Sequence, residues 1–352
     1  GIFVACRMVK KDAKMHPAQK VSPVESDKRS VAISSWTFFI SYIITMRPYL
    51  FFVSGAAGIT GLALSGLNSL PAGILFSIIF LLSYGFGQAL TDSMQVDTDS
   101  ISSPYRPLVQ GKVSRRDVAL VSLAGLSISG IAFISASRIN ILLCIMAIAG
   151  LATYTYFKRR WWGGPFYNAW IVAALCLIGY VSGNGIAEVP NIITPALIST
   201  ILTVLFGYAN FVLVGYYKDI SADRATGYMT MPVVFGFKIS AIVSDIFAAA
   251  EVAAAGLTLF FIYTNITSTI VILPASGLYF AGILVAITGQ IRLHRLESEA
   301  DAYRSIAPTV HSFILLLSSI TIMLRPTWTP AILLLYATFI LILRFRPMKE
   351  QI

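Results

Sequence analysis

The chain has 352 residues, of which 57% are hydrophobic and only 12% charged. Soluble domains carry roughly a quarter charged residues, so half that share with repeated long apolar runs excludes an ordinary soluble enzyme and points to many membrane crossings. A net charge of +10 would suggest nucleic acid in a soluble protein, but here the basic residues sit in loops beside apolar runs, as the positive-inside rule requires, and no nucleic-acid partner is expected.

Residues 1–33 are polar and basic, lack a signal-peptide apolar stretch, and are expected to form a flexible cytoplasmic tail. Residues 34–46 read as an amphipathic helix in the membrane interface, punctuated by Arg47-Pro48. Spans are then expected at about 49–67, 71 into the following acidic stretch, 117–136, 139–157, 165–183, 193–217, 236–262, 270–291 and 306–324, with a last apolar run at 328–343. Lipid offers backbone groups no partner, so the spans should be helical, and the alternating short strands of a barrel are not visible. The expectation is an all-α, polytopic bundle of nine to ten transmembrane helices. It forms one domain over 34–346, with a cytoplasmic tail at 347–352.

The loops sort by charge. The tail and the loops carrying Arg106, Lys112, Arg115 and Arg116, then Lys158 to Arg160, then Lys218, Arg224 and Lys238, then Arg292, Arg295 and Arg304 are basic. The intervening loops hold little more than Arg138, Glu188 and Arg325. This alternation favours ten crossings with both termini and all basic loops in the cytoplasm. Cys6, Cys144 and Cys176 lie far apart, and His16, His294 and His311 show no ligand spacing, so neither a disulfide framework nor a His/Cys metal cluster is indicated.

The acids are concentrated. Of sixteen acidic residues, Asp92, Asp97 and Asp99 follow the second span, and Asp219 and Asp223 follow the sixth. At about 100° per residue, Tyr84, Gln88, Asp92, Gln95 and Asp99 fall on one helix face, with Asp97 pointing away. Tyr208, Phe211, Gly215, Asp219 and Asp223 likewise share a face. If the two faces meet across a cavity, Asp92, Asp99, Asp219 and Asp223 repel one another unless a cation sits between them. Mg²⁺ suits such a place, since it takes few carboxylates and leaves positions for waters and phosphate oxygens. Arg106, Lys112, Lys158, Lys218 and Arg224 supply the positive charge that phosphates also need. The bland reading makes these aspartates solvated helix caps.

The segments Ser103-Pro104-Tyr105-Arg106-Pro107-Leu108 and Gly111-Lys112-Val113-Ser114 resemble the loop after the first acidic motif of the UbiA superfamily of intramembrane prenyltransferases. Lys218-Asp219-Ile220-Ser221-Ala222-Asp223-Arg224, followed by Gly227, Thr230, Pro232 and Gly236, resembles that family's second motif, and Arg47-Pro48 and Tyr154 with Lys158 are similar to family positions. The first motif departs from the family spacing. Counting back from Pro104 makes Asp99 the last acid, with Gln95 and Thr91 in the earlier places; alternatively Gln88 and Asp92 fill those places and one residue is inserted. The resemblance implies helices around a central cavity. It also implies a prenyl diphosphate held by Mg²⁺ between Asp92/Asp99 and Asp219/Asp223, ionisation, and prenyl transfer to an acceptor, which in such enzymes is an aromatic ring, a quinone precursor, a porphyrin side chain or a glycerol-lipid hydroxyl and is expected here to be aromatic. Tyr84, Tyr208 and Phe211 are then candidates to stabilise the allylic cation; ordinary packing is the competing reading for each.

Two rivals remain at this point. A membrane terpene cyclase would share the ionisation and capture the cation with the substrate's own double bond. A transporter would fit the Gly-rich helices and related halves, although its key charges belong near the midplane rather than at the helix ends. Asp245 and Glu251 lie within the seventh span; intramembrane acids are functional candidates by default, but neither has a partner that the sequence identifies.

Overall fold

Local signals set the ends of the helices. In the computed structural model, residues 32–184, 193–264 and 272–344 are described. Most of the basic N-terminal tail, the loop with Glu188, and Arg346 and Lys349 fall outside them. The helices are α1 (Trp36–Met46), α2 (Phe51–Ser65), α3 (Leu70–Met94), the short α4 (Val96–Ser102), α5 (Arg115–Ala136), α6 (Asn140–Arg160) and α7 (Gly164–Asn184). They continue as α8 (Pro195–Gly215), the short α9 (Ile220–Ala225), α10 (Met231–Tyr263), α11 (Ile272–His294), α12 (Tyr303–Leu324) and α13 (Thr329–Arg344). Ser114 caps α5 by accepting from the Asp117 N–H at 3.0 Å, and Thr194 caps α8 by accepting from the Leu197 N–H at 3.1 Å. Each satisfies a donor that a helix start leaves open. Gly66 ends α2 at φ 83°, a left-handed value that suits glycine.

Ten stretches among the described residues are long and apolar enough to cross a membrane, and no strand occurs among those residues. The protein is an all-α polytopic bundle. The boundaries match the sequence expectation within a few residues, with one difference. The expected interface helix, α1, runs through a 3-10 turn (Pro48–Leu50) into α2, and together they form one apolar stretch, Trp36–Ser65. Its Phe38, Tyr42 and Met46 pack with Ala89 of α3 and Val118 of α5, and the Tyr42 hydroxyl lies 2.8 Å from that of Ser122. An amphipathic pattern reports that one face is apolar; it does not say whether lipid or protein covers it.

The middle of the bundle is built by close helix approach. A Cβ added at Gly61 of α2 would sit 2.0 Å from the Cys176 carbonyl oxygen of α7, and one added at Gly179 would sit 2.3 Å from the Gly58 carbonyl oxygen. Small residues let membrane helices meet backbone to backbone, where packing rather than hydrophobic transfer drives association. The Thr60 hydroxyl of α2 meets that of Thr321 of α12 at 2.9 Å, and α12 is almost wholly enclosed. The acidic ends of α3 and α8 are thereby fixed on one side of a tightly packed centre.

Gly61→Ala should lower stability by roughly 1–3 kcal/mol, the cost of overpacking, because the obstructing atom is backbone and cannot rotate away. Gly277→Ala, whose Cβ would meet nothing within 4 Å, should be neutral. Thermal unfolding of the two variants in detergent checks the difference.

Candidate active site

α3 carries the first acidic group. Its backbone leaves helical geometry at Gln95 (φ −117°, ψ 22°), and α4 starts at the next residue. Tyr84 to Asp99 is therefore two helices and not the one continuous face that the spacing suggests. Tyr84, Gln88, Asp92, Gln95 and Asp99 nevertheless line one cavity, of about 720 Å³ including its open mouth. The Gln88 amide donates to Asp92 Oδ1 at 2.6 Å, and the Tyr84 hydroxyl donates to Gln88 Oε1 at 3.2 Å. Arg47 donates to both oxygens of Asp92 at 2.9 and 2.7 Å. Arg106 forms an ion pair with Asp99 and stands 3.8 Å from Asp92.

The second group comes from the end of α8. A 3-10 turn (Tyr216–Asp219) delivers Asp219 to the cavity wall, and α9 buries Asp223 completely. Thr230 donates to Asp223 Oδ2 at 3.0 Å. Asp223 Oδ1 has Lys158 Nζ at 3.5 Å, an ion-pair distance, and accepts no hydrogen bond. Lys158 also donates to Gln95 Oε1 at 3.3 Å and lies 5.0 Å from the ring centres of Tyr216 and Tyr228. One lysine thus ties the first motif to the second. Hydroxyls of Thr98 and Thr226, 3.3 Å apart, join α4 to the end of α9. Burial pushes the Asp99 carboxyl above the ordinary carboxylate range; Arg106 pulls it down, Asp92 pushes it up, Arg47 pulls it down, and Asp219 across the cavity pushes it up.

Most of the residues singled out in the sequence come together. Tyr84, Gln88, Asp92, Gln95, Asp99, Arg106, Lys158, Tyr208, Phe211, Lys218 and Asp219 line the cavity, with Asp223 behind Lys158. Lys112 and Arg224 do not: both are exposed and neither lines it. Loop cations cluster near the mouth for topological reasons, and sequence spacing alone does not tell which reach inward. Asp97 turns away and pairs with Arg159 at the surface. Asp245 meets His294 at 2.7 Å, and Glu251 is buried with Oε1 accepting no hydrogen bond; both lie outside this cavity.

Arg47, noted in the sequence only as part of a family-like Arg47-Pro48 pair and not among the candidate site residues, is the main addition to the site. It is the one non-glycine with positive φ among the described residues (φ 55°). Such a conformation costs of order 1–3 kcal/mol and persists when surroundings fix it; here the two bonds to Asp92 do so. The Arg-Pro pair was the available signal. Tyr154 and Tyr216, whose hydroxyls are 2.7 Å apart, and Asn168 also line the cavity.

The paired motifs at the mouth of a helical bundle agree with the comparisons. The pattern of the UbiA prenyltransferase family matches residues 49–307. The chain belongs to the UbiA prenyltransferase family. It is 28% identical over 219 residues to a digeranylgeranylglyceryl phosphate synthase of Thermococcus sibiricus, covering 60% of this chain and 75% of the relative. It is also 28% identical over 165 residues to the chloroplastic chlorophyll synthase of Arabidopsis thaliana, covering 43% of this chain and 41% of the relative. Its fold resembles that of a UbiA homologue from Aeropyrum pernix K1, with TM-score 0.62, 20% identity, and coverage of 74% and 94%. It also resembles a UbiA homologue from Archaeoglobus fulgidus bound to GPP and Mg²⁺, with TM-score 0.56, 19% identity, and coverage of 78% and 99%.

The site of this UbiA-type prenyltransferase is balanced in charge. Arg47, Arg106, Lys158 and Lys218 face Asp92, Asp99, Asp219 and Asp223. A phosphate-rich ligand brought into it unaccompanied would leave uncompensated negative charge in a place partly shielded from water, where that is costly. A divalent cation restores the balance, and the buried, unbonded Asp223 Oδ1 fits an oxygen-ligated one. Among the described residues no three Asp, Glu, His or Cys side chains gather to hold a metal by themselves. The donor set therefore suits a cation that takes few carboxylates and fills its shell with phosphate oxygens and water, as Mg²⁺ does.

Arg47→Ala leaves a buried carboxylate without its partner and should destabilise the protein by roughly 3–5 kcal/mol. Asp97→Ala breaks a half-exposed pair and should cost no more than about 1 kcal/mol. Denaturant or thermal unfolding of the two variants side by side tests the ranking.

Proposed function

We propose that this enzyme ionises an allylic prenyl diphosphate with Mg²⁺ and transfers the prenyl group to an acceptor, working from the cytoplasmic face. The observation that carries the reading is continuity. The charged cavity shares Tyr84, Gln88, Thr91, Asn168 and Tyr208 with a second, largely apolar cavity that runs into the bundle. A ligand with a phosphorylated head and a long hydrocarbon tail matches that sequence of environments. The cytoplasmic assignment rests on the basic loops that flank the acidic ends of α3 and α8.

The chain's own groups divide the work. Arg47, Arg106, Lys158 and Lys218 are placed to bind the diphosphate and to stabilise the charge that grows on it as the C–O bond breaks. Asp92, Asp99, Asp219 and Asp223 are the candidate carboxylates for Mg²⁺, no more than two of them at once, with phosphate oxygens and water filling the rest of its shell, while Asp92, bonded by Arg47 and Gln88, also orients the arginine. Bound there, Mg²⁺ supplies Lewis-acid stabilisation of the leaving diphosphate. The apolar cavity would keep water from the allylic cation, and the rings of Tyr84 and Tyr208, which line both cavities, and of Phe211, which lines the charged one, are the candidates for cation–π attraction. Two relatives are named for making a glyceryl phosphate lipid and a chlorophyll. Support for an aromatic acceptor comes from the ring-rich wall, which adds Tyr154 and Tyr216 to those three.

Asp223→Ala should abolish Mg²⁺-dependent release of diphosphate, a loss of at least about a hundredfold as for removal of a transition-state stabiliser, in protein that still purifies as a folded species in detergent. Undiminished release would sink the assignment. Incubation with a prenyl diphosphate and Mg²⁺ in the absence of acceptor adds a second readout: cyclic hydrocarbon as the product would replace transfer by ring closure.

A further inference from the structure

The apolar cavity has a floor. It is lined mainly by α3, α5, α6 and α7, with Ser54 of α2 and Tyr208 of α8, and its lining residues farthest along their helices from the charged cavity, Phe133 of α5, Cys144 of α6 and Ile178 of α7, pack in one buried cluster with Phe76 and Phe80. The Phe133 ring stacks on Phe80 of α3 at 4.5 Å between ring centres and lies 5.9 Å from Phe76. Phe80 cannot retreat, because its ring is seated on the backbone of α2: a Cβ added at Gly58 would come within 2.2 Å of it. The floor is thus a ring, backed by a second ring, backed by a helix. Phe133 and Phe80 are 2% and 0% exposed.

Depth follows from helix rise. Asn168, shared with the charged cavity, and Ile178, at the floor, are separated on α7 by about 15 Å at 1.5 Å per residue. With C–C bonds of about 1.5 Å, an extended hydrocarbon advances roughly 1.25 Å per bond, so about twelve bonds reach the floor. That is the main chain of a three-isoprene tail. A four-isoprene tail would need several bonds more than the cavity has.

We infer that the Phe133–Phe80 stack measures the prenyl tail, making a farnesyl chain the longest that seats fully, with Phe133 the specificity-determining residue. The inference rests on the proposed function, since it takes the tail to lie in this cavity. The wall offers an independent handle at Gly130, on the same helix, where an added Cβ would stand 3.8 Å from Cys144. A small side chain fits there, and a larger one would fill the far part of the cavity.

The test uses the full chain in detergent with Mg²⁺, a membrane extract as acceptor source, and geranyl, farnesyl, geranylgeranyl and geranylfarnesyl diphosphates. Diphosphate release and equilibrium binding are measured for each. Farnesyl diphosphate should give the highest kcat/KM, with geranylgeranyl lower by roughly tenfold or more, since even one ill-fitting methylene is worth that much. Phe133→Ala should raise geranylgeranyl to the farnesyl level and leave geranyl unchanged. Gly130→Leu should do the opposite, lowering farnesyl and sparing geranyl. Equal use of farnesyl and geranylgeranyl by the unaltered enzyme, or variants that change every length alike, would overturn the inference while leaving the proposed function standing. Failure to bind or consume any of the four would remove the proposed function itself. If Phe133→Ala does not fold, the length series on the unaltered enzyme and the Gly130→Leu shift decide the matter.

Discussion

Charge matching inside a membrane bundle is the constraint that the site depends on. A carboxylate or ammonium taken out of water pays a desolvation penalty of several kcal/mol that only a well-placed partner offsets. Four carboxylates at one mouth therefore require cations, and each of three is met directly: Asp92 by Arg47, Asp99 by Arg106, and Asp223 by Lys158. These partners come from three separate parts of the chain, the entry to α2, the loop after α4, and the end of α6. The ion pairs thereby fix where the ends of the spans lie relative to one another. Low dielectric makes this stringent, because one missing partner strands a buried charge.

The apolar half of the site follows from the opposite demand. Backbone-to-backbone approach of α2 and α7 through Gly58, Gly61 and Gly179 packs the centre tightly, so open volume collects to one side, among α3, α5, α6 and α7. The chain holds that space open with rings that cannot collapse into it, Phe133 and Phe80, and with small wall residues such as Gly130 and Ala147. Charged mouth and apolar interior share residues on α3, α7 and α8, and Tyr84 and Tyr208 stand at the junction. Each presents a ring to hydrocarbon and a hydroxyl to polar neighbours, the usual employment of tyrosine where the two environments meet.

Much of this was legible in the sequence, and what escaped did so for identifiable reasons. Span positions follow from hydropathy because lipid forces each crossing to satisfy its own backbone. Asp92 and Asp99 were placed together by helical spacing, and although the helix breaks between them at Gln95, both line the same cavity. Asp97, set apart by the same count on the assumption of an unbroken helix, pairs with Arg159 outside the cavity. Lys112 and Arg224 were misplaced because a loop cation near a mouth and one inside it have the same local sequence. Arg47 escaped because its pairing spans 45 positions and depends on a left-handed turn that only the folded chain reveals. The apolar cavity is lined by residues of six helices and had no local signal at all.

The balanced site also constrains how its ligands can bind. Arg47 and Arg106 pair with Asp92 and Asp99, and Lys158 with Asp223 and Gln95. Under the proposed function, a diphosphate that engages these cations draws them from their carboxylates, and a divalent cation that engages the carboxylates frees the basic residues. Each partner thus removes a cost that the other would have to meet. Coupling of that kind is reciprocal: whatever factor one ligand adds to the affinity of the other is returned in full. Within the site, each carboxylate–cation pair offsets the charge that its partner would otherwise leave buried.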